Sequence, residues 1–503
     1  MADASVPVVS TRPASPAVAQ PTQASRKRGT ISILQGLLLV VIGAGSFASA
    51  FMVPKVGPLI ILFLFCAARL CRQATGARAL VLGLLLGILA YIPQVFYAAG
   101  TVGPTTTIIM IVWPIGTAIV VWLGHLGWRR APAGIGLLIV PIAWIGLEYL
   151  LSEICPPQWG WLAAGMAMPP EALHHFAGVY GVGFVLMLIA TIAAGVRGIP
   201  GFIAMLVAIG ASWGLSFWQI PASSTPAGPL AASAPATGPS HSMPAILTVP
   251  GEFTTRTVTS ALAAAWNEHP GADLVVLPNY ALSRNDAAVR WAREHKTFLL
   301  TGRRAVNRES GRSTDTLVLS NPAGETVLLV NRETGAGPAE DADPDLAESP
   351  WGKIAVMPFR DLTHRGDTDR LIKAGAHAFI VMNPDVEPGN IAMRDDRTHL
   401  AQVRAAEYGV PVLRVTTVGM CQLITSRGAI SVEADAAAPL SGTLDTAGAD
   451  PAVPLDGRFA PICLDIALVY VVVELILFAL ASRRDAASAA PPSTPPAPPG
   501  AAH

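Results

Sequence analysis

Apolar residues dominate stretches of about twenty positions over the first 220 residues, and again near the carboxyl end. A helix that crosses a hydrocarbon layer needs about 20 mostly apolar residues. The runs predict seven spans before the midpoint, at Ile31–Val53, Val56–Leu70, Ala79–Ala98, Thr105–Leu123, Ala133–Leu151, Phe176–Val196 and Pro200–Trp218. An eighth follows at Pro461–Ala481, and the second run is the shortest. From Pro244 the period changes. Short β-branched runs appear, among them "AILTV", "ADLVVLP", "TFLLTG", "KIAVMPF", "AFIVMN" and "VPVLRVT". Helical stretches such as "TVTSALAAAWNEHP" separate some of them, with Val258, Leu262 and Trp266 spaced every four residues. Alternation of this kind predicts an α/β domain with buried strands.

The expected organisation is therefore a disordered leader at 1–30, seven membrane helices within 31–219 and a linker at 220–243. An α/β domain at 244–460, an eighth membrane helix at 461–482 and a disordered tail at 483–503 follow. Leader, linker and tail are rich in Ala, Pro, Ser and Thr, which cannot bury enough apolar surface to fold.

Composition sharpens this picture in two places. Charged residues make up 14% of the chain, against about 25% in soluble domains, so the chain reads as membrane embedded. The formal net charge is +0, which removes any general attraction to nucleic acid. Charge placement then gives an orientation. Arg26, Lys27 and Arg28 precede the first run, Arg69, Arg72 and Arg78 follow the second, and Arg129 and Arg130 follow the fourth. Arg197 follows the sixth, and Arg483 and Arg484 follow the eighth. With eight crossings all of these share one side, which the positive-inside rule makes cytoplasmic. Both termini are then expected in the cytoplasm and residues 220–460 outside the inner membrane. Of the five cysteines only Cys421 lies in 244–460, so that domain holds no internal disulfide.

Two segments carry a family resemblance. "PIAWIGLEYLLSEICPPQWGWLAAGMA" followed by "FAGVYGVGFVLMLI" resembles the fifth and sixth membrane helices of bacterial apolipoprotein N-acyltransferases. The domain after Pro244 resembles the carbon–nitrogen hydrolase, or nitrilase, fold. The resemblance spans roughly residues 31–484 and implies a polytopic α-helical membrane domain joined to an α/β nitrilase-like αββα sandwich. Members of that family use a Glu–Lys–Cys triad. The thiolate takes an acyl chain from a phospholipid, the Glu acts as general base and the Lys holds the oxyanion. The chain then passes to the amino group of a diacylglyceryl-cysteine on an apolipoprotein.

Each triad position can be carried over by spacing, and each differs. The family's "LVVLPE" strand end reads "LVVLPN" here, which puts Asn279 at the base position. The Lys, eight residues after a turn glycine, is Arg332 after Gly324. The Cys, seven residues after the glycine of a "GK" strand start, is Phe359 after Gly352. Asp361 matches the acidic residue two past the Cys, and Glu340 matches a further family Glu. An amide takes no proton at ordinary pH, a guanidinium differs in shape from an ammonium, and a phenyl ring has no nucleophilic atom. The resemblance thus implies a degenerate acyltransferase that binds phospholipid or diacylated apolipoproteins. The alternative is an active enzyme that uses Cys421, which stands in "TVGMC" where the family has Ser, or direct transfer assisted by Arg332. Arg332 is also expected to pair with Glu340 or Asp361.

The remaining candidates are binding groups. Glu148 is an ionisable residue within a membrane run, a functional candidate by default. Trp159 and Trp161 suit the interface, where aromatic rings sit at headgroup level. Glu340 and Asp361 complete the binding set. No cofactor is expected and no metal, since His174 and His175 are adjacent and do not face one site on a helix. "HRGDTDR" at 364–370 reads as a solvated helix start.

Overall fold

The computed structural model describes residues 31–488 except 103–105, 156–159, 197, 220–243, 251–256, 279–285, 307–312, 334–343, 384–390, 418 and 436. Its first part is a helical bundle. Helix α1 (Ile33–Met52) starts on Ser32, whose hydroxyl accepts from Gln35 N at 3.2 Å while the Gln35 side chain accepts from Ser32 N at 3.0 Å. Two N–H groups that lack helical partners are thereby satisfied. A 3-10 turn (Pro54–Leu59) leads into α2 (Ile60–Gln73). Together they span Pro54–Gln73, longer at both ends than the sequence suggests. Prolines Pro54 and Pro58 lack the N–H that an α-helix interior needs, and a short 3-10 start accommodates them.

Helices α3 (Gly76–Val102), α4 (Thr106–Arg130), α5 (Ala133–Tyr149, extended by a π turn at Leu150–Ile154), α6 (Ala172–Gly195) and α7 (Ile199–Gln219) complete this part. Small residues let them approach closely, as lipid-embedded helices require. At Gly87 of α3 an added Cβ would lie 2.6 Å from Pro114 Cα of α4. Seven helices among the described residues are long and apolar enough to cross a membrane, and the last is α13 (Asp456–Ser488). Helix α7 runs 21 residues, Ile199–Gln219, of which Ile199–Gly214 form the described apolar stretch.

The second part is a sandwich of two six-stranded sheets. The first sheet contains β1 (Ala245–Thr248), β2 (Leu274–Val276), β3 (Phe298–Val306), β4 (Ser313–Ser320) and β5 (Thr326–Glu333). It is closed at one edge by β12 (Leu440–Thr443), in the order β12-β1-β2-β3-β4-β5. The second contains β6 (Leu346–Ser349), β7 (Gly352–Pro358), β8 (Ala376–Asn383), β9 (Val412–Thr416), β10 (Met420–Ile424) and β11 (Ile430–Asp435), in the order β11-β10-β9-β8-β7-β6. Each sheet has a parallel centre, β1-β2-β3 in one and β7-β8-β9 in the other, flanked by antiparallel strands.

Strand side chains alternate between two faces, and both faces are covered. Ile246, Leu274, Val276 and Leu300 meet Ile354, Val356, Ile380, Leu413 and Leu423 between the sheets. Leu247, Val275 and Leu299 face α8 (Val258–Glu268) and α9 (Asp286–His295), through Leu262, Ala288 and Trp291. The outer face of the second sheet, with Ala355, Met357, Phe379 and Val381, is covered by α10 (Phe359–Thr363), α11 (Arg365–Lys373) and α12 (Ile391–Tyr408). The layers run α–β–β–α. That last helical layer shares one continuous core with Trp144, Met166 and Leu186 of the bundle.

Helix α6 is broken at Gly178, which has φ +71°. A fresh helical segment starts at Val179, and its first N–H groups have no helical acceptors. They donate to carboxylates instead: Val179 N to Glu407 Oε1 at 3.0 Å and Tyr180 N to Asp456 Oδ2 at 2.9 Å. A Cβ on residue 178 would sit 2.0 Å from the Asp456 carboxyl. Gly178→Ala therefore meets both a left-handed backbone and a collision, and should cost about 2 kcal/mol or more. Thermal unfolding in detergent is expected to show a clear drop in midpoint, whereas Gly45→Ala, where an added Cβ meets nothing within 4 Å, should be close to neutral.

Candidate functional site

Open α/β sheets bind ligands at the carboxyl ends of their parallel strands. In the second sheet those ends place Phe359 just after β7, Asn383 at the end of β8 and Thr416 at the end of β9. Pro358 pairs with Met382 and Asn383 with Thr416 in register. Phe359 opens α10 and is buried at 9% exposure. The Arg397 guanidinium lies over its ring, 5.6 Å from the centroid, a cation–π distance. Arg397 Nη1 also donates to Asn383 Oδ1 at 3.2 Å. Asn383 is buried, and among the described residues its Nδ2 has no hydrogen-bond partner.

Arg332 reaches this place from β5 of the other sheet. Its Nε donates to Asp361 Oδ2 at 2.8 Å, Nη2 pairs with Asp345 just before β6, and Nη1 donates to Asn331 O at 3.1 Å. Burial pulls its pKa down, but the two carboxylates outweigh that and hold it above its ordinary value. Burial raises Asp361 above the usual carboxylate range, and Arg332 offsets only part of the rise. Asp367, on α11, is pushed up to about 6 by burial and by the neighbouring Asp361 charge.

The sequence-derived pairing of Arg332 with Asp361 is thus present, and Asp345 is a second partner that spacing did not reveal. Asn279, Glu340 and Trp159 lie outside the described residues. Trp161 packs partly buried against the bundle core. Cys421 is far from reactive: it sits in the layer between the sheets at 2% exposure. Its Sγ meets the backbone N of Thr416 at 3.5 Å and the backbone O at 3.7 Å, and burial pushes its thiol above the ordinary value. His399 bonds Met166 O at 2.9 Å rather than the thiol. Arg414 lies nearer, donating to Met420 O at 2.8 Å and Gln422 Oε1 at 3.3 Å. Glu148 is buried in α5, where Oε1 accepts from Trp144 Nε1 at 2.6 Å and Ala164 N at 2.8 Å.

The largest group of charged residues went unread in the sequence. The stretch 364–370 is not solvated: Arg365 is 3% and Asp369 9% exposed. Arg365 pairs with Asp456 at the start of α13, with Asp369 at 3.3 Å and with Glu407 at 3.7 Å. Arg404 pairs with Glu407, and its Nε and Nη2 donate to the Leu362 and Thr363 carbonyls, both at 3.1 Å. Tyr408 OH donates to Asp369 Oδ1 at 2.7 Å, and Tyr180 OH to Glu153 Oε1 at 2.6 Å. Burial pulls Arg365 down, and its acidic neighbours and Tyr408 raise it above its ordinary value. Burial raises Glu407, and the two guanidiniums bring it below the usual carboxylate range. Because α10 ends on the two carbonyls that Arg404 holds, this network fixes the helix that carries Phe359 and Asp361 relative to the bundle.

Two buried histidines make the junction acid-sensitive. Burial lowers His399 to about 4, and burial with the Arg360 and Arg404 charges lowers His364 to about 4. A neutral buried histidine contributes stability above its unfolded pKa of about 6.5, and that stability is lost as pH falls toward the folded value. Asp367 acts in the opposite sense, because its folded pKa is raised. Stability should thus fall between about pH 6.5 and 4 through the histidines. His399→Gln keeps a polar end and should flatten the slope of the thermal midpoint against pH over that window.

No family model matches the sequence, and no curated protein matches it. Solved structures do. A carbon-nitrogen hydrolase from Helicobacter pylori G27 is similar at 14% identity and TM-score 0.36, over 42% of this chain and 91% of that one. Nit3 from Saccharomyces cerevisiae, a member of branch 10 of the nitrilase superfamily, is similar at 16% identity and TM-score 0.35, over 42% and 93%. A mutant of the amidase from Nesterenkonia sp. AN1, with the acetamide moiety of fluoroacetamide added covalently at its active site cysteine, is similar at 14% identity and TM-score 0.35, over 43% and 95%.

Proposed function

We propose that this chain is an apolipoprotein N-acyltransferase-like protein of a bacterial inner membrane that binds phospholipid or diacylated apolipoprotein without transferring an acyl chain. Both termini are cytoplasmic in this reading, and the sheet domain lies outside. The observation that carries it is Phe359, a buried ring at the strand end where the resembled family has its nucleophile. Two further features support it. Arg332 has its charge matched by Asp345 and Asp361, and Asn279 at the base position cannot accept a proton.

The second reading, an active transferase, needs Cys421 or Arg332. The thiol of Cys421 is enclosed between the sheets and held protonated by burial, while a nucleophile needs its thiolate exposed. Direct transfer needs an oxyanion donor, and Arg332 already donates to its three partners.

The test incubates the purified protein with phosphatidylethanolamine and a diacylated lipopeptide and weighs both by mass spectrometry. The expected result is no added acyl mass on either, together with phospholipid retained on the native protein. An acyl adduct on the protein, or an acylated lipopeptide, overturns the reading. Activity lost in Arg332→Ala but kept in Cys421→Ala would then identify direct transfer, and the reverse pattern a relocated thiol.

A further inference from the structure

At the end of α6 away from the sheet junction, two arginines meet at one oxygen. Helix α6 runs about 24 Å from Val179 to Gly195 at 1.5 Å per residue. Its last carbonyls have no helical N–H to accept from. Arg72, in the last turn of α2, donates from Nη1 to Ala194 O at 2.5 Å. Arg69, one turn earlier, reaches the same oxygen with Nη1 at 3.4 Å and Gly198 O with Nη2 at 3.5 Å. Aromatic rings hold both guanidiniums in place: Arg69 lies 5.3 Å from the Phe65 centroid and Arg72 5.5 Å from that of Trp128 on α4. His125 of α4 pins the adjoining corner, with Nε2 accepting from Gly76 N and Nδ1 bonding Cys71 O, both at 3.2 Å. The surrounding helices supply no anion. Helices α2, α4, α6 and α7 contain no Asp or Glu, and neither do residues 4–147 or 172–251 as a whole.

We infer that Arg69 and Arg72 form a site for a phosphate group, carried by the headgroup of an anionic phospholipid. Capping the end of α6 accounts for one guanidinium. Two that meet at one oxygen repel each other, and the helix end offsets only about half a unit of charge. An anion beside them removes that repulsion. Guanidiniums are planar forks that match phosphate oxygens and bind them in pairs. The Arg69 bonds, at 3.4 and 3.5 Å, are longer than the usual range, so its fork can turn to a stronger acceptor at little cost. The neighbouring surface favours a lipid over a free ion. Ile199, Phe202, Ile203 and Leu206 expose an apolar stripe along α7, and that stripe begins beside Gly198, which Arg69 contacts. An acyl chain lying there leaves its headgroup at the two arginines. A zwitterionic headgroup would bring an ammonium into the same positive field, so an anionic one is preferred. Basic pockets between membrane helices hold such headgroups. The bound lipid would tie α2 to the α6–α7 turn. This site is separate from the strand ends of the second sheet and does not depend on whether acyl chains are transferred there.

The test measures thermal unfolding of the full-length protein in a neutral detergent at constant ionic strength. Phosphatidylglycerol, phosphatidylethanolamine with the same acyl chains, and inorganic phosphate are each titrated in. A bound ligand stabilises by mass action, so phosphatidylglycerol should raise the midpoint saturably by several degrees more than phosphatidylethanolamine does. Arg69→Gln with Arg72→Gln should abolish that difference. Arg78→Gln with Arg129→Gln removes the same charge from exposed positions on α3 and α4 and should keep it. Equal effects of the two lipids overturn the site. Equal loss in both double variants also overturns it, since a diffuse field would then suffice. Inorganic phosphate that stabilises as well as phosphatidylglycerol overturns the lipid and leaves a free phosphate ion. Should the Arg69, Arg72 double variant fail to fold, Arg69→Gln decides alone. It should raise the half-saturating phosphatidylglycerol concentration about tenfold, and an unchanged value overturns the site.

Discussion

The break in α6 is the constraint on which the rest of the structure depends. A helix that restarts inside a bundle exposes N–H groups, and in an apolar surrounding each needs an acceptor. Gly178 permits the restart, and the acceptors come from far away in sequence: Glu407 on α12 and Asp456 at the head of α13. The sheet domain and the last membrane helix are therefore not merely attached to the bundle. They complete its hydrogen bonding. Two carboxylates brought to one place then need cations, and Arg365 and Arg404 supply them.

Buried ion pairs are weak evidence for stability, because desolvation cancels much of the attraction. Their value here is registry. Arg404 is shared between Glu407 and the carbonyls of Leu362 and Thr363, so the junction that closes on α6 also sets where α10 lies. The same short helix presents Asp361 to Arg332 across the two sheets. Two parts that look separable by composition, an apolar bundle and an α/β sandwich, are joined by one polar chain running Val179, Glu407, Arg404, α10, Asp361, Arg332. Removing any single charged member would leave a buried charge uncompensated, which costs more than the pair itself contributes.

The layers and the helices were legible in the sequence because both are repeating properties. A twenty-residue apolar run, and short β-branched runs separated by helical stretches, are recognised without fixing an exact register. Phe359 was legible for a related reason, since Gly352 and the strand that follows fix its position by counting. The junction was not legible. Arg365 and Asp369 sit in a stretch whose charge reads as solvated, and nothing local marks Arg404 and Glu407, three residues apart on α12, as buried. Nothing local marks Asp456 either, a single acid a few residues ahead of an apolar run. Their burial follows from chain segments that only the fold brings together. Asp345 escaped for the same reason, because it reaches Arg332 from the opposite sheet.

At the strand ends of the second sheet, polarity has been rearranged rather than removed. An arginine covers the Phe359 ring and is itself anchored on Asn383, while a second arginine on the facing sheet is matched by two carboxylates. The Coulomb field that a lone Arg332 would direct at a ligand is largely spent on Asp345 and Asp361, since opposite charges at hydrogen-bond distance leave little net potential beyond a few ångströms. Among the described residues, the groups there that keep no hydrogen-bond partner are Asn383 Nδ2, Thr416 Oγ1 and Arg360 Nη1. Where the guanidinium charges go therefore shapes this place as much as the Phe359 ring does.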